Sequence, residues 1–99
     1  MNVFWTQNAK RELRAVHDYV AQNSVRYAQG LVDRITRKTQ HLAQFPHLGA
    51  TAPEFENSSI RELLEHPYRI IYRIREDRIE ILSVVHGARQ FPSNAPGDT

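Results

Sequence analysis

Apolar residues recur along this chain with two different periods, and the change of period divides it. Ala9, Leu13, Val16 and Val20 stand at i, i+4, i+7 and i+11, one stripe of an amphipathic helix. Ala28, Leu31, Ile35 and Leu42, at i, i+3, i+7 and i+14, lie on one face of a second helix after a polar break at Gln22-Asn23-Ser24. Thr6 or Asn8 can cap the first helix and Ser24 the second, because such a side-chain oxygen accepts from a free amide of the first turn. Phe45-Pro46 is expected to end the second helix, since proline disfavours a helical conformation for the residue before it. Helices joined by so short a linker lie nearly antiparallel.

From Ile60 onward the period shortens to two. Runs 60–65, 68–75 and 78–85 are separated by His66-Pro67 and Glu76-Asp77. The second break leaves two residues between alternating runs, which predicts a tight antiparallel hairpin. Residues 2–6 are β-branched and aromatic and read as a first strand. On the run 68–75, Ile70, Tyr72 and Ile74 point one way, and Arg69, Ile71, Arg73 and Arg75 the other. One face is then core and the other a cationic surface. Ile79 and Val84 cannot share a face of a regular strand, so one packs outside or a bulge intervenes. The stretch 47–59 reads as a loop from its Gly, Pro, Asn and Ser content. The polar, proline-containing end 91–99 reads as a flexible tail beyond a single domain spanning 1–90.

The order β-α-α-β-β-β predicts an α+β domain, a helical hairpin packed on a small, mainly antiparallel sheet. The central strand holds residues 68–75, and the neighbour and direction of the first strand are left open. Leu13, Val16, Val20, Leu31, Ile35, Leu42, Ile70, Tyr72, Ile79, Ile81 and Val84 are the expected core. Trp5, Tyr19, Tyr27 and Phe45 are expected to join them.

Composition narrows the class. Ninety-nine residues suit one domain. There is no cysteine, which removes disulfides and thiolate metal sites and is consistent with a reducing cytoplasm. No apolar leader region and no run of about 18 apolar residues is present, so a soluble, cytoplasmic protein without membrane association is expected. The net charge is +2, but residues 1–45 carry seven cations against three acids, and residues 46–99 six arginines against eight acids. The basic helical half predicts an acidic partner. His17, His41, His47 and His66 show no metal-site spacing, and no phosphate loop is found; neither metal nor cofactor is expected.

Several short segments, taken in order, carry more than periodicity does. The Phe45-Pro46…Gly49 corner, Arg61-Glu62-Leu63, Tyr68-Arg69-Ile70-Ile71-Tyr72 and His86-Gly87-Ala88-Arg89 together resemble the RelE/ParE-family toxins of bacterial type II toxin–antitoxin pairs. The resemblance implies the same fold, a cognate antitoxin that can join it in a hetero-oligomer, and one of two activities. Similarity to the ParE branch, known as plasmid stabilisation proteins, implies binding to DNA gyrase and a block of replication without catalysis. Similarity to the RelE branch implies ribosome-dependent cleavage of mRNA.

In a ribonuclease of this kind, Arg69 would contact the scissile phosphate, Arg89 would be a second catalytic arginine and His86 an acid or base. The alternative for Arg69 is an ion pair with Glu62 or Glu80, and for His86 a place at the core edge, with Gly87 ending the strand. The resemblance places two lysines of RelE-type nucleases near Ile60 and Glu62, and their tyrosine near Ala95 or Pro96, so the catalytic set is largely missing. A glutamate would repel the phosphate it should hold. The gyrase reading is preferred on this ground. Arg11, Arg14, Arg34 and Arg37 are expected to meet antitoxin acids, and Arg61, Arg69, Arg73 and Arg89 complete the expected partner-binding set.

Overall fold

Thr6 joins the first strand, β1 (Asn2–Trp5), to the first helix, α1 (Gln7–Ala21), in a computed structural model that describes residues 1–87. Its hydroxyl accepts from the amide of Ala9 at 3.1 Å and donates to the carbonyl of Ile81 at 2.8 Å. One side chain thus caps the helix and fixes it to the sheet. The second helix, α2 (Val25–Gln40), starts as expected at Ser24, whose Oγ accepts from the amide of Tyr27. It ends earlier than the proline predicts: residues His41–Ala43 form a 3-10 turn that keeps Leu42 fully buried. Tightening the last turn rotates Leu42 onto the core before the chain reaches Pro46.

Four further strands follow: β2 (Ala50–Thr51), β3 (Ile60–Glu65), β4 (Tyr68–Ile74) and β5 (Arg78–His86). The sheet order is β1-β5-β4-β3-β2, with β4 central and β1 parallel to β5, which answers the question left open by the sequence. All other pairings are antiparallel. The amide of Arg75 donates to the carbonyl of Arg78 at 2.8 Å, closing the two-residue hairpin. β2 lies inside the stretch expected to be loop. It exists because Gly49 lets the chain press against β3: a Cβ there would run into the carbonyl of Glu62 and come within 2.9 Å of the Tyr72 ring. The Tyr72 hydroxyl holds that corner, donating to the carbonyl of Pro46 at 2.7 Å and accepting from the amide of Gly49 at 3.0 Å.

The conflict between Ile79 and Val84 is resolved by a bulge. Ile71 faces Ser83 but Tyr72 faces Ile81, so Leu82 is the extra residue of β5. Ile79, Ile81 and Val84 then all face the helices and join Leu31, Ile35, Leu42, Ile70 and Tyr72 in the core, with Leu13, Val16 and Val20 packed against it. A bulge strands polar groups, and α1 supplies their partners. Oε1 of Glu12 accepts from Ser83 Oγ (2.5 Å), the amide of Val84 (3.1 Å) and Asn8 Nδ2 (3.0 Å). Asn8 also donates to the carbonyl of Leu82 at 2.9 Å.

The outer face of the sheet departs from the expected cationic surface. Ile71 and Leu82 lie there beside Ile60, and the segment after β2 folds over them with Ala52 and Phe55 as a second apolar cluster. Two adjacent strands with apolar outward residues need cover, and this loop is the nearest chain. Among the aromatics, Trp5 packs against the core, whereas Tyr19, Tyr27 and Phe45 are 68%, 48% and 60% exposed. Tyr19 stands off the Ala9–Val20 stripe and Tyr27 off the Ala28–Leu42 stripe, so neither can turn inward.

Candidate functional site

Arg69, the second residue of β4, points toward the outer face and is 7% exposed. Its Nε donates to Glu62 on β3 at 2.6 Å, and its two terminal nitrogens fork onto the carboxylate of Glu54, each at 2.6 Å. Glu62 is one of the two partners expected. Glu54 comes from the loop 52–58, which sequence spacing alone could not bring to this strand. Glu80, the other expected acid, gathers different cations: Arg73, Arg75 and Arg78 lie 3.3, 2.9 and 3.1 Å from it. Hydrogen bonds donated to Glu54, reinforced by Glu62, hold the Arg69 guanidinium charged against the opposing effect of burial. Burial alone would raise the Glu80 carboxyl, but the hydrogen bonds and charges of Arg75, Arg78 and Arg73 bring it below the ordinary carboxylate value.

Arg69 forms one wall of a cleft of about 870 Å³ that also receives Glu54, Glu62, His66, His86 and Gly87. The structure thus brings Arg69 and His86 to one place. His86 is exposed at the end of β5, with its ring edge-on to Tyr68 at 5.9 Å between centroids. Gly87 is required by a close approach and not by backbone conformation: its φ is not positive, but a Cβ would meet the carbonyl of Pro67 at 2.9 Å. Its amide donates to that same carbonyl at 2.6 Å. Arg69, Glu54 and Glu62 together carry −1, so these three groups offer a phosphate no positive surplus. Arg89, the tail 91–99 and the pair Ala95-Pro96 lie outside the described residues.

The other arginines singled out by the sequence divide into two sets. Arg61 is spent on the corner, its Nε donating to the carbonyl of Gly49 at 2.8 Å. Arg73 belongs to the Glu80 cluster, and Arg34 pairs with Glu65 at 3.2 Å while lying over the ring of Tyr27 at 5.6 Å. Lys38 reaches the same glutamate at 3.1 Å. Arg11, Arg14 and Arg37 are exposed, and their side chains make no hydrogen bond or ion pair among the described residues.

Two apolar grooves are lined by residues that sequence spacing does not bring together. One, of about 480 Å³, runs between α1 and the ends of β4 and β5, with Val16, Tyr19, Tyr68, Val84 and Val85 on its walls and Glu12 at one end. The other, of about 730 Å³, has Trp5, Leu13 and Val32 as its floor and Lys10, Arg14 and His17 on its rim. The signal that could have revealed the first was Tyr19, an aromatic beside the apolar stripe of α1 rather than on it. Among the described residues no cluster of three or more metal-ligating side chains is present, and no helix is long and apolar enough to cross a membrane.

Comparison with known proteins agrees with this geometry. A family model described as the ParE toxin of the type II toxin–antitoxin system parDE matches residues 3–91. Toxin RelE2 of Caulobacter vibrioides is 33% identical over 88 residues, covering 88% of this chain and 96% of that protein. A putative toxin, Y4kP, of Sinorhizobium fredii is 36% identical over 90 residues, covering 89% of this chain and 90% of that protein. Among solved structures, a chain of the chromosomal ParDE toxin–antitoxin system from P. aeruginosa superposes with a TM-score of 0.72 at 30% identity, covering 87% of this chain and 95% of that one.

Proposed function

We propose that this chain, which belongs to the ParE toxin family of type II toxin–antitoxin systems, arrests growth by binding DNA gyrase and blocking replication, and is held silent by a cognate antitoxin in the cytoplasm. The observation that carries the non-catalytic reading is the state of Arg69. A ribonuclease needs a cation free to take up charge developing on the phosphate. Here the arginine in the RelE-like position is buried and forked onto Glu54, with Glu62 on its third nitrogen. Admitting a phosphate would mean expelling a carboxylate that holds the 52–58 loop, with Phe55, over Ile71 and Leu82. A protein that acts by surface binding needs no such opening.

The second reading, ribosome-dependent mRNA cleavage, is favoured by the convergence of Arg69 and His86 on one cleft and by a relative named RelE2. The two separate in one experiment. Purified toxin is incubated with gyrase and supercoiled plasmid, and in parallel with programmed ribosomes. Linear plasmid accumulating only with gyrase supports the proposal; codon-specific cuts in the message, abolished by Arg69→Ala or His86→Ala, reverse it.

For the antitoxin, the groove of Tyr19, Val16, Val85 and Tyr68 offers the apolar anchors that a protein interface requires. Acidic residues of the same segment would then run along Arg11, Arg14, Arg34 and Arg37. Of these, Arg34 contributes least, because Glu65 already neutralises it.

A further inference from the structure

Unpaired cations concentrate on one layer of the fold, although Arg34 and Lys38 of α2 are taken up by Glu65. On the sheet, Arg69, Arg73 and Arg78 each meet a carboxylate, and Arg61 donates to backbone carbonyls. On the helical layer, Lys10, Arg11, Arg14, Arg26 and Arg37 are exposed, and their side chains meet no acceptor among the described residues. Against these five, the exposed acids of the two helices are Asp18 and Asp33. The third helical acid, Glu12, is turned under α1 and held by the bulge of β5. The antiparallel hairpin then lays Lys10, Arg11 and Arg14 alongside the last turns of α2, where Arg37 stands. Four unpaired cations gather at the open end of the hairpin, with Arg26 at the other.

We propose that this basic helical face binds the phosphate backbone of duplex DNA directly. Charge complementarity admits DNA on these cations whenever antitoxin acids do not occupy them. The exposed large apolar side chains of the two helices, Tyr19, Val25 and Tyr27, are all next to the turn between α1 and α2, away from the open end. The groove floored by Trp5, Leu13 and Val32 adjoins Lys10 and Arg14, but Arg11 and Arg37 are not among its lining residues, and backbone binding to nucleic acid is carried by cations alone, without the apolar anchors a protein partner needs. The two helices, about 22–24 Å long, span a stretch of duplex bearing roughly a dozen phosphate charges. The inference draws its purpose from the gyrase reading, since a toxin acting on gyrase works beside DNA, but the binding itself is measured without gyrase. An antitoxin whose acids lie on Arg11, Arg14 and Arg37 would exclude DNA from them.

The test is fluorescence anisotropy of a short labelled duplex titrated with the full chain. Between about 50 and 200 mM salt, four phosphate contacts give a slope of log K against log salt of about −3 to −4. Replacing Arg11→Gln, Arg14→Gln and Arg37→Gln together should bring the slope to about −1 and weaken binding at low salt by on the order of thirtyfold or more. Arg78→Gln, on the sheet and already paired with Glu80, should leave both unchanged, and circular dichroism confirms that each variant is folded. No binding by the unaltered chain at low salt overturns the proposal, as does binding whose slope the triple change does not move. Binding of a polyglutamate peptide without binding of duplex would assign the face to a protein instead. Plasmid linearisation by gyrase is scored separately, so a protein that binds DNA yet does not trap gyrase sinks the functional reading and leaves this one standing.

Discussion

Replacing Arg69 by alanine tests whether that residue is a clamp or a phosphate ligand. The side chain is 9% exposed, and its partners Glu54 and Glu62 are 12% and 15% exposed. Alanine would leave two largely buried carboxylates without their cation, the situation in which breaking a buried pair costs about 3–5 kcal/mol. For a domain whose whole stability is about 5–15 kcal/mol, that is a large share, equivalent to a fall in Tm on the order of 15 °C or more. The loss should be localised as well as global. Glu54 tethers the 52–58 segment, so the amides of Ala52 and Phe55, which donate to Ile60 and Ala52 carbonyls, should exchange faster with solvent. Urea unfolding followed by circular dichroism gives the global term, and amide exchange gives the local one. Changing all three residues together, Arg69→Met with Glu54→Leu and Glu62→Met, should recover much of the loss, because an apolar trio leaves no buried charge behind. An Arg69→Ala protein of unchanged stability and exchange that had lost a message-cutting activity would refute the clamp and restore the catalytic role.

Other consequences follow from the same contacts. Glu12→Ala removes the acceptor shared by Ser83, Val84 and Asn8 and should cost about 1–3 kcal/mol; Glu12→Gln, which keeps an acceptor oxygen, should cost less in the same urea titration. Tyr72→Phe leaves the Pro46 carbonyl and the Gly49 amide without the hydroxyl and should destabilise by about 1–3 kcal/mol, with the β2–β3 pairing loosening first in amide exchange. Glu80 and Glu65 both have folded pKa values below the ordinary 4.5. Their contribution is therefore present above that value and lost as pH falls through the lower folded values. Unfolding measured from about pH 6 to pH 3 should show a decline that Glu80→Gln makes shallower; a Glu80→Gln protein with the same acid dependence would contradict it.

Periodicity located the helices, the three long strands and the core, because those depend on which side of an element is apolar. It also exposed the conflict between Ile79 and Val84, and counting faces was enough to require the bulge. What it could not supply was the acceptor for the stranded groups. Glu12 reads as one more charge on a helix until α1 is laid across β5, more than 70 positions away in sequence. The 52–58 segment was opaque for a similar reason. Its Pro, Glu and Asn content reads as loop, and only Ala52 and Phe55 hint that it covers something. The outward Ile71 and Leu82 are what demand that cover, and they become neighbours only when β4 and β5 pair.

The functional residues show the same division between local and non-local information. An arginine on the central strand with a glutamate on the next one could be read as a pair or as a phosphate site, because the cross-strand register permits both. The acid that tips the balance, Glu54, is outside the strands, and its carboxylate takes up the arginine fork as two phosphate oxygens would. Affinity of an external phosphate for Arg69 must therefore be measured against an internal anion already tethered at high effective concentration. Closing that competition needs no residue with an acid–base role, only the tether. On the proposed reading, one loop carboxylate keeps the outer sheet face from acting as a phosphate site. In the converse experiment, Glu54→Gln should free part of the Arg69 fork while retaining the loop's apolar contacts through Phe55. A gain of anion binding in that variant, read by chemical-shift changes at Arg69 Nε on phosphate titration, is the expected result. No gain would mean that Glu62 and burial alone close the site.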